Sequence, residues 1–338
     1  MNFEFKVISG AIAHEIIHSN YELCQSLVAE AYRRYADGKA SAPTCHFLRF
    51  PDRPNARIIP LPARIDMGDH RISGIKWIAS YPDNIAKGIP RASAVLILND
   101  EETGYPLACV EASLISAART AASATLGAHH LARGKRRARC LGIVGNGIVS
   151  KYIYQFLMGT GWEVDEVRLF DKNPAEPVRF HETVIQGHRH RAVIHAPDLE
   201  SLLVASDLVV FATSAGTPHV TDKALFEHNP IVLHISLRDL GADIITGAQN
   251  FVDSADHALS NNTSLHLAQM ETGHADFLTG TISELIEGKL VADPARLRIF
   301  SPFGLGVLDL ALGGLIYRRA VETRRFVSVD DFFYEKTR

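Results

Sequence analysis

Apolar residues recur at helical spacing through residues 12–37, a charge-rich stretch closed by Gly38, and this predicts a helix. From there to about residue 111 the runs are shorter and β-like: RIIPLPARID, ISGIKWIAS and SAVLILND, divided by Pro, Gly, Asn and Asp. DEETGYP supplies a hairpin turn between AVLILND and YPLACVEA, so this part reads as antiparallel. Beyond residue 112 the texture changes. Helical patterns over 113–133, 148–159 and 198–205 alternate with the apolar runs CLGIVG, EVRLFD, AVIHA, DLVVFAT and IVLHIS. Continuous apolar strands alternating with helices predict a parallel sheet covered on both faces. A last helix, about 306–324, precedes a polar tail.

Composition narrows the class. The chain has 338 residues, 46% hydrophobic and 22% charged, which is globular composition at a length suited to about two domains. A net charge of −3 leaves no basic footprint for nucleic acid or for an anionic membrane. The apolar stretches at 114–126 and 307–316 are interrupted by Arg119 and Asp309 and fall short of the ~20 residues of a membrane span. Cys24, Cys45, Cys109 and Cys140 are scattered without a CxxC pair, a reduced pattern with no disulfide framework or zinc cage. The N-terminal residues lack the basic and apolar regions of a signal peptide. The expectation is a soluble, cytoplasmic protein.

The clearest chemical signal is RCLGIVGNGIVSKYIYQFL, a strand, then Gly145-Asn146-Gly147-Ile148-x-Ser150, then a helix. The first glycine permits the tight turn, the second lets the backbone approach a pyrophosphate, and the helix N-terminus offers N–H groups to that anion. Ser150 stands where a third glycine is usual, and its small size still allows close helix–strand packing. The next strand ends in LFDKN, where Asp171 can bind the adenosine ribose hydroxyls; this favours NAD over NADP, although Lys172 would tolerate a 2′-phosphate. Ligands gather beyond the carboxyl ends of parallel strands. There DLVVFATSAG places Thr213 and Ser214, and IVLHISLRD places Ser236 and Asp239. Each of these is also explained as a polar residue capping the next element.

Four cations sit in apolar company. On its strand Lys76 shares a face with Ile72, Gly74 and Ile78, and neither face reads as solvent-facing. Burial there disfavours the ammonium, so Lys76 reads as a base or as the partner of a bound carboxylate, against the plainer reading of a snorkelling lysine. Arg119 is the only charge between Ala112 and Ala128. Its planar fork suits a carboxylate bidentately, and a structural salt bridge is the plainer alternative. Arg57 and Arg91 also lie among apolar residues. Three arginines and a lysine around a nicotinamide site suit a polycarboxylate substrate. Of the 16 histidines, His188, His190 and His195 lack a matching ligand set and read as a solvated loop, so no metal is expected. His129 and His130 end a helix, where its dipole favours cations, and Asp309 opens one, where it favours an anion.

Lys76 in GIKW, Arg119–Ala122 in RTAA and the following GIVGNG resemble the ornithine cyclodeaminase/mu-crystallin family over nearly the whole chain. The strings GIKWIASYPDN, GIPRASAVLILNDEETG, CVEASLISAARTAASA, HISLRDL and FSPFGLGVLDLA resemble its branch of N-((2S)-2-amino-2-carboxyethyl)-L-glutamate dehydrogenases, which make 2,3-diaminopropionate for siderophores and other nonribosomal products. The resemblance implies an α/β fold, with a discontinuous α+β substrate-binding and dimerisation domain (1–118 with 312–338) and a Rossmann NAD-binding domain (119–311). It also implies a homodimer. Family substrate contacts carry onto Arg57, Lys76 and Arg119, the catalytic aspartate onto Asp239, and the segment containing Gly304 and Asp309 falls near the nicotinamide. SLRDL departs from the glycine-rich context of that aspartate in the cyclodeaminases. Arg91 is the candidate for a carboxylate that ornithine lacks. Ornithine cyclodeaminase, imine or ketimine reductase, and mu-crystallin-like ligand binding stay open as alternatives; Asp171 and the buried cations weigh against the last.

Overall fold

The computed structural model describes residues 4–43, 47–187 and 189–334. It divides into two compact units, residues 1–119 with 305–338, and residues 120–304, the division falling inside the helix Ser113–Leu131. Cys45 and His188 lie outside the described residues.

The first unit is built on a sheet in the order Val327–Val329, Phe5–Ile8, Pro106–Glu111, Ala92–Asn99, Arg71–Ser80, Arg53–Asp66, Ala40–Ser41, with Leu48–Phe50 also paired to Arg53–Asp66. All pairings are antiparallel except that of Phe5–Ile8 with Pro106–Glu111. The expected hairpin joins Ala92–Asn99 to Pro106–Glu111, its turn held by Asp100, which accepts from the Thr103 N–H at 2.8 Å. The helix expected over 12–37 is two helices, Gly10–His18 and Tyr21–Ala36. Asn20 leaves helical geometry at φ −145° between them, and its side chain donates back to Ile16 O, closing the first helix.

The last helix, Gly306–Glu322, belongs wholly to this unit and is buried along most of its length. It crosses the sheet on the face of Ile72, Gly74 and Lys76, its Gly313 and Gly314 lying tight against Leu96 and Ile72. The sequence run GVLDLALGGLI is apolar on all sides because the helix is enclosed by the sheet and by Tyr21–Ala36. The opposite face of the sheet is different. Val7, Cys109, Ile97, Ile75 and Pro62 form one register row across five strands, and Trp77 stands beside Val95; Trp77 is 43% exposed.

The second unit is a parallel sheet in the order Ala192–His195, Glu163–Phe170, Arg137–Val144, Leu208–Phe211, Ile231–His234, Arg298–Ser301, Gln249–Val252, Leu278–Thr281. The chain starts in the middle, at Arg137–Val144, runs outward one way and then returns to continue the other way. That reversal is the switch point of a doubly wound sheet. The helices Ile148–Gly159 and Leu199–Ala205 agree with the sequence pattern. The last three strands of the order do not appear in it: QNFV, LTGT and RIFS are four residues each and mix polar with apolar positions, so none forms the continuous apolar run that marks Leu208–Phe211 or Ile231–His234. Among the described residues, no helix is long and apolar enough to cross a membrane.

Candidate active site

Lys76 is 1% exposed, so it does not snorkel. Its Nζ donates to Asp309 Oδ2 at 2.8 Å and to Ser116 Oγ at 3.1 Å. Arg119 reaches the other oxygen of the same carboxylate, Nε to Oδ1 at 3.3 Å. Three separate elements therefore meet at Asp309, which is fully buried: the middle of strand Arg71–Ser80, the second turn of helix Ser113–Leu131, and the first turn of helix Gly306–Glu322. Among the described residues these two cations share the Asp309 carboxylate, so the three together carry one net positive charge. A buried charge without compensation is expensive, and removing one member of such a pair costs roughly 3–5 kcal/mol. The plainer reading of Arg119, a salt bridge, is thus present, but it engages only Nε and leaves the terminal nitrogens of the fork to an incoming anion.

The sequence offered a better argument for Asp309 than the helix dipole. An acid alone in GVLDLALGGLI is as anomalous as Arg119 alone in its helix, and the same reasoning about buried charge finds both. Ser116, one turn before Arg119, carried no signal of its own.

Four residues along from Lys76 and on the same face, Ser80 accepts from Arg91 Nη1 at 3.2 Å. Arg57 stands opposite Ser80 in the strand register, so two guanidinium-bearing residues flank one end of the Lys76 strand. Burial pushes the Arg91 guanidinium down from its ordinary pKa, and among the described residues no carboxylate offsets it.

In the second unit Gly145 ends strand Arg137–Val144 with φ +85°, where a Cβ would come within 2.6 Å of Ala212 O on the neighbouring strand's exit. Gly147 is different: its φ is −87°, and a Cβ there would meet nothing within 4 Å. The protein itself does not demand glycine at 147. Open space above an N-terminus that lacks a side-chain cap suits a close-approaching pyrophosphate. Ile148 is exposed in the first turn, and Ser150 Oγ donates to Gly145 O, tying the turn to the helix. The Asp171 carboxylate accepts from Asn146 N at 2.8 Å and from Asn173 N at 3.0 Å, so it also shapes the loop. These residues fit a dinucleotide.

Beyond the next strands, Thr213 and Ser236 both donate hydroxyls to Asp239, one to each oxygen, and Asp239 is fully buried. Ser214 is exposed. The sequence reading missed His234, also fully buried, which accepts the Asp239 N–H at Nε2, 3.1 Å. The same Nε2 lies 3.3 Å from Asp239 Oδ2, and Nδ1 lies 3.2 Å from Ser301 Oγ. Burial by itself pushes the Asp239 carboxyl up; His234 and the Ser236 and Thr213 hydroxyls outweigh it and hold the carboxyl below its ordinary value. On this geometry the hydroxyls are the donors. Leu237 stands in the same loop at φ +68°, a conformation costly for a branched side chain. Gly304, at φ +98°, gives its N–H to Asp253 Oδ2 at 2.6 Å, which fixes the turn before the last helix. His190 bonds Tyr154 and Val164 O, while His195 faces His181.

A profile of the ornithine cyclodeaminase/mu-crystallin family matches residues 11–324. The chain belongs to this family. It is 29% identical over 269 residues to N-((2S)-2-amino-2-carboxyethyl)-L-glutamate dehydrogenase of Staphylococcus aureus, covering 78% of this chain and 79% of that protein. It is 27% identical over 309 residues to alanine dehydrogenase of Archaeoglobus fulgidus, covering 87% and 89%. Among solved structures, Delta(1)-pyrroline-2-carboxylate reductase of Thermococcus litoralis, in complex with NADH and L-proline, matches with a TM-score of 0.87 at 21% identity, over 96% of this chain and 100% of that one. At that identity the likeness speaks for the fold. The parallel sheet with Gly145–Ser150 at its switch point is the family's Rossmann half.

Proposed function

We propose that this chain is an NAD-dependent dehydrogenase that oxidatively hydrolyses N-((2S)-2-amino-2-carboxyethyl)-L-glutamate to 2-oxoglutarate and L-2,3-diaminopropionate, a precursor for siderophores or other nonribosomal products. The observation that carries this reading is the surplus of buried positive charge in the first unit. Lys76 and Arg119 share the Asp309 carboxylate, and Arg91 is desolvated with no anion beside it among the described residues. A secondary amine bearing three carboxylates supplies the missing negative charge, whereas ornithine, alanine and proline each bring one. The Staphylococcus aureus relative, named for this substrate, supports the same reading.

In this reading the first unit binds the substrate and the second binds NAD. Arg57 and Arg119 hold the glutamyl carboxylates, Arg91 holds the carboxylate of the aminocarboxyethyl arm, and Lys76 meets the nitrogen that joins the two halves. Gly145, Asn146, Gly147, Ile148 and Ser150 cradle the pyrophosphate, and Asp171 takes the adenosine ribose. Thr213, Ser214, Ser236 and Gly304 complete the cofactor side. Asp239, with both oxygens occupied, is assigned to fixing Thr213 and Ser236 at the strand ends. When bound, NAD supplies the hydride acceptor.

The chain works as a homodimer in this reading. The apolar sheet face of Ile75, Trp77, Val95 and Ile97 is the surface on which two copies would pair. Cys24, Cys109 and Cys140 are unpaired, which fits a reducing cytoplasm.

The deciding assay follows NADH absorbance with purified protein, NAD⁺ and either the aminocarboxyethyl-glutamate or L-ornithine. Stoichiometric NADH with 2-oxoglutarate and diaminopropionate is the expected result. Proline and ammonia from ornithine without net NADH would replace this reading with a cyclodeaminase.

A further inference from the structure

We propose that Asp309 is a positioning residue that keeps Lys76 an ammonium in the substrate site, so that Lys76 works as the proton donor to the substrate nitrogen. This rests on the reading of Lys76 as the group that meets that nitrogen.

The groups facing Lys76 can be taken element by element. From helix Ser113–Leu131 come the Ser116 hydroxyl and the Arg119 cation; from helix Gly306–Glu322 comes Asp309; the register neighbours on the two adjoining strands are Leu61 and Leu96. Burial disfavours an ammonium, and a second cation nearby acts in the same direction. Asp309 is the one anion in this set, at 2.8 Å, and it opposes both effects. It stands in the first turn of a 17-residue helix, the end at which the helix dipole favours an anion. A carboxylate buried to this extent, touching two cations, has no packing reason to be there; Asn or Leu would fill the space.

An ammonium at this point does two things that a neutral amine cannot. Its charge disfavours protonation of the substrate amine, so the nitrogen lone pair stays available when hydride leaves the neighbouring carbon. It also holds the proton needed later. After water has added to the iminium carbon and lost one proton to solvent, the carbinolamine C–N bond breaks and its electron pair goes to nitrogen. Nitrogen takes a proton from Lys76. The hydroxyl O–H electrons form the new C=O bond, and that proton returns to Lys76. Lys76 begins and ends the cycle as an ammonium, and the single proton released overall comes from the attacking water.

The test is the pH profile of kcat/KM for the wild-type holoenzyme and for Asp309→Asn, with NADH binding as a check that the variant folds. If Asp309 maintains the ammonium, the basic limb moves at least about one pH unit toward acid in the variant, and the rate at about pH 9 falls about tenfold or more while the acid side stays near wild type. An unmoved basic limb, or a moved acid limb, overturns the proposal. Should the variant not fold, or should the substrate assignment fail, the wild type still decides. With ¹⁵N-labelled lysine and bound 2-oxoglutarate, the Lys76 Nζ resonance, identified by its loss in Lys76→Arg, stays in the ammonium range at about pH 9. A resonance in the neutral-amine range refutes the role of Asp309 independently of any activity.

Discussion

Arg91 donates through Nη1 to Ser80 Oγ at 3.2 Å, and Ser80 is also the register partner of Arg57. A serine hydroxyl is a weak answer to a desolvated guanidinium, which keeps most of its donor capacity for an anion. Ser80 lies about 13 Å along the strand from Lys76, at about 3.3 Å per residue. The Lys76 strand thus holds the cation proposed for the reacting nitrogen in its middle, and its end at Ser80 is flanked by the cations proposed for outlying carboxylates, Arg57 on the adjoining strand and Arg91 just before the other.

Arg91→Leu keeps the bulk and removes the charge. A lost charge-assisted hydrogen bond is worth about 1.5–3 kcal/mol, so KM for aminocarboxyethyl-glutamate is expected to rise at least about tenfold with kcat little changed. Steady-state kinetics check this. A normal KM would remove Arg91 from the binding set.

Arg119→Ala also loosens Asp309, because Arg119 Nε holds one of its two oxygens. Misplacing the substrate carboxylate relative to Lys76 should cost turnover at least about tenfold. Near-normal kcat/KM would mean that the salt bridge is the whole purpose of Arg119.

The two halves of this fold were legible to different degrees, and for physical reasons. Period-two runs broken by Pro and Asn gave the antiparallel sheet, and apolar runs between helices gave the core of the parallel one. The four-residue strands Gln249–Val252, Leu278–Thr281 and Arg298–Ser301 are set by tertiary pairing and show no pattern of their own. At the site, Lys76 and Arg119 stood out because each is a charge in an apolar run. What joins them is Asp309, 233 residues from Lys76, and no local pattern reports a contact across that distance. His234 was hidden for the opposite reason: a histidine inside an apolar strand looks like any other core residue.

Asp239 gives a pH dependence of stability with a definite sign. Its folded carboxyl is held below its ordinary value of 3.8, so it contributes stability above that pH and loses it as the pH falls through the lower folded value. Asp239→Asn should therefore be less stable than wild type at neutral pH, with the difference shrinking as the pH falls below about 4. Urea unfolding at several pH values measures it. A gap that widens toward acid would contradict the hydroxyl-bonded carboxylate.

Trp77 and Val95 are register partners on the exposed apolar face. Two glutamates in their place, Trp77→Glu with Val95→Glu, put like charges in the middle of any surface that pairs two copies there. Light scattering is expected to show a dimer for wild type and half that mass for the variant, with the circular dichroism of a folded chain retained. A variant of unchanged mass would move the dimer interface elsewhere.

The two glycines of the nucleotide loop should separate under the same substitution. Gly145→Ala forces a side chain into the left-handed region, with its Cβ 2.6 Å from Ala212 O, and strain of this kind costs roughly 1–3 kcal/mol. Its melting temperature should fall by several degrees with or without NADH. Gly147→Ala meets nothing within 4 Å and keeps an allowed φ, so the unliganded protein should melt within about 2 °C of wild type. The added methyl stands in the space assigned to the pyrophosphate, so NADH affinity should weaken by about tenfold or more, about 1.4 kcal/mol for each factor of ten. Thermal melts and NADH fluorescence titrations on the two variants distinguish a glycine kept for the chain's own turn from one kept for a ligand. If Gly147→Ala binds NADH as wild type does, the pyrophosphate does not lie over this residue.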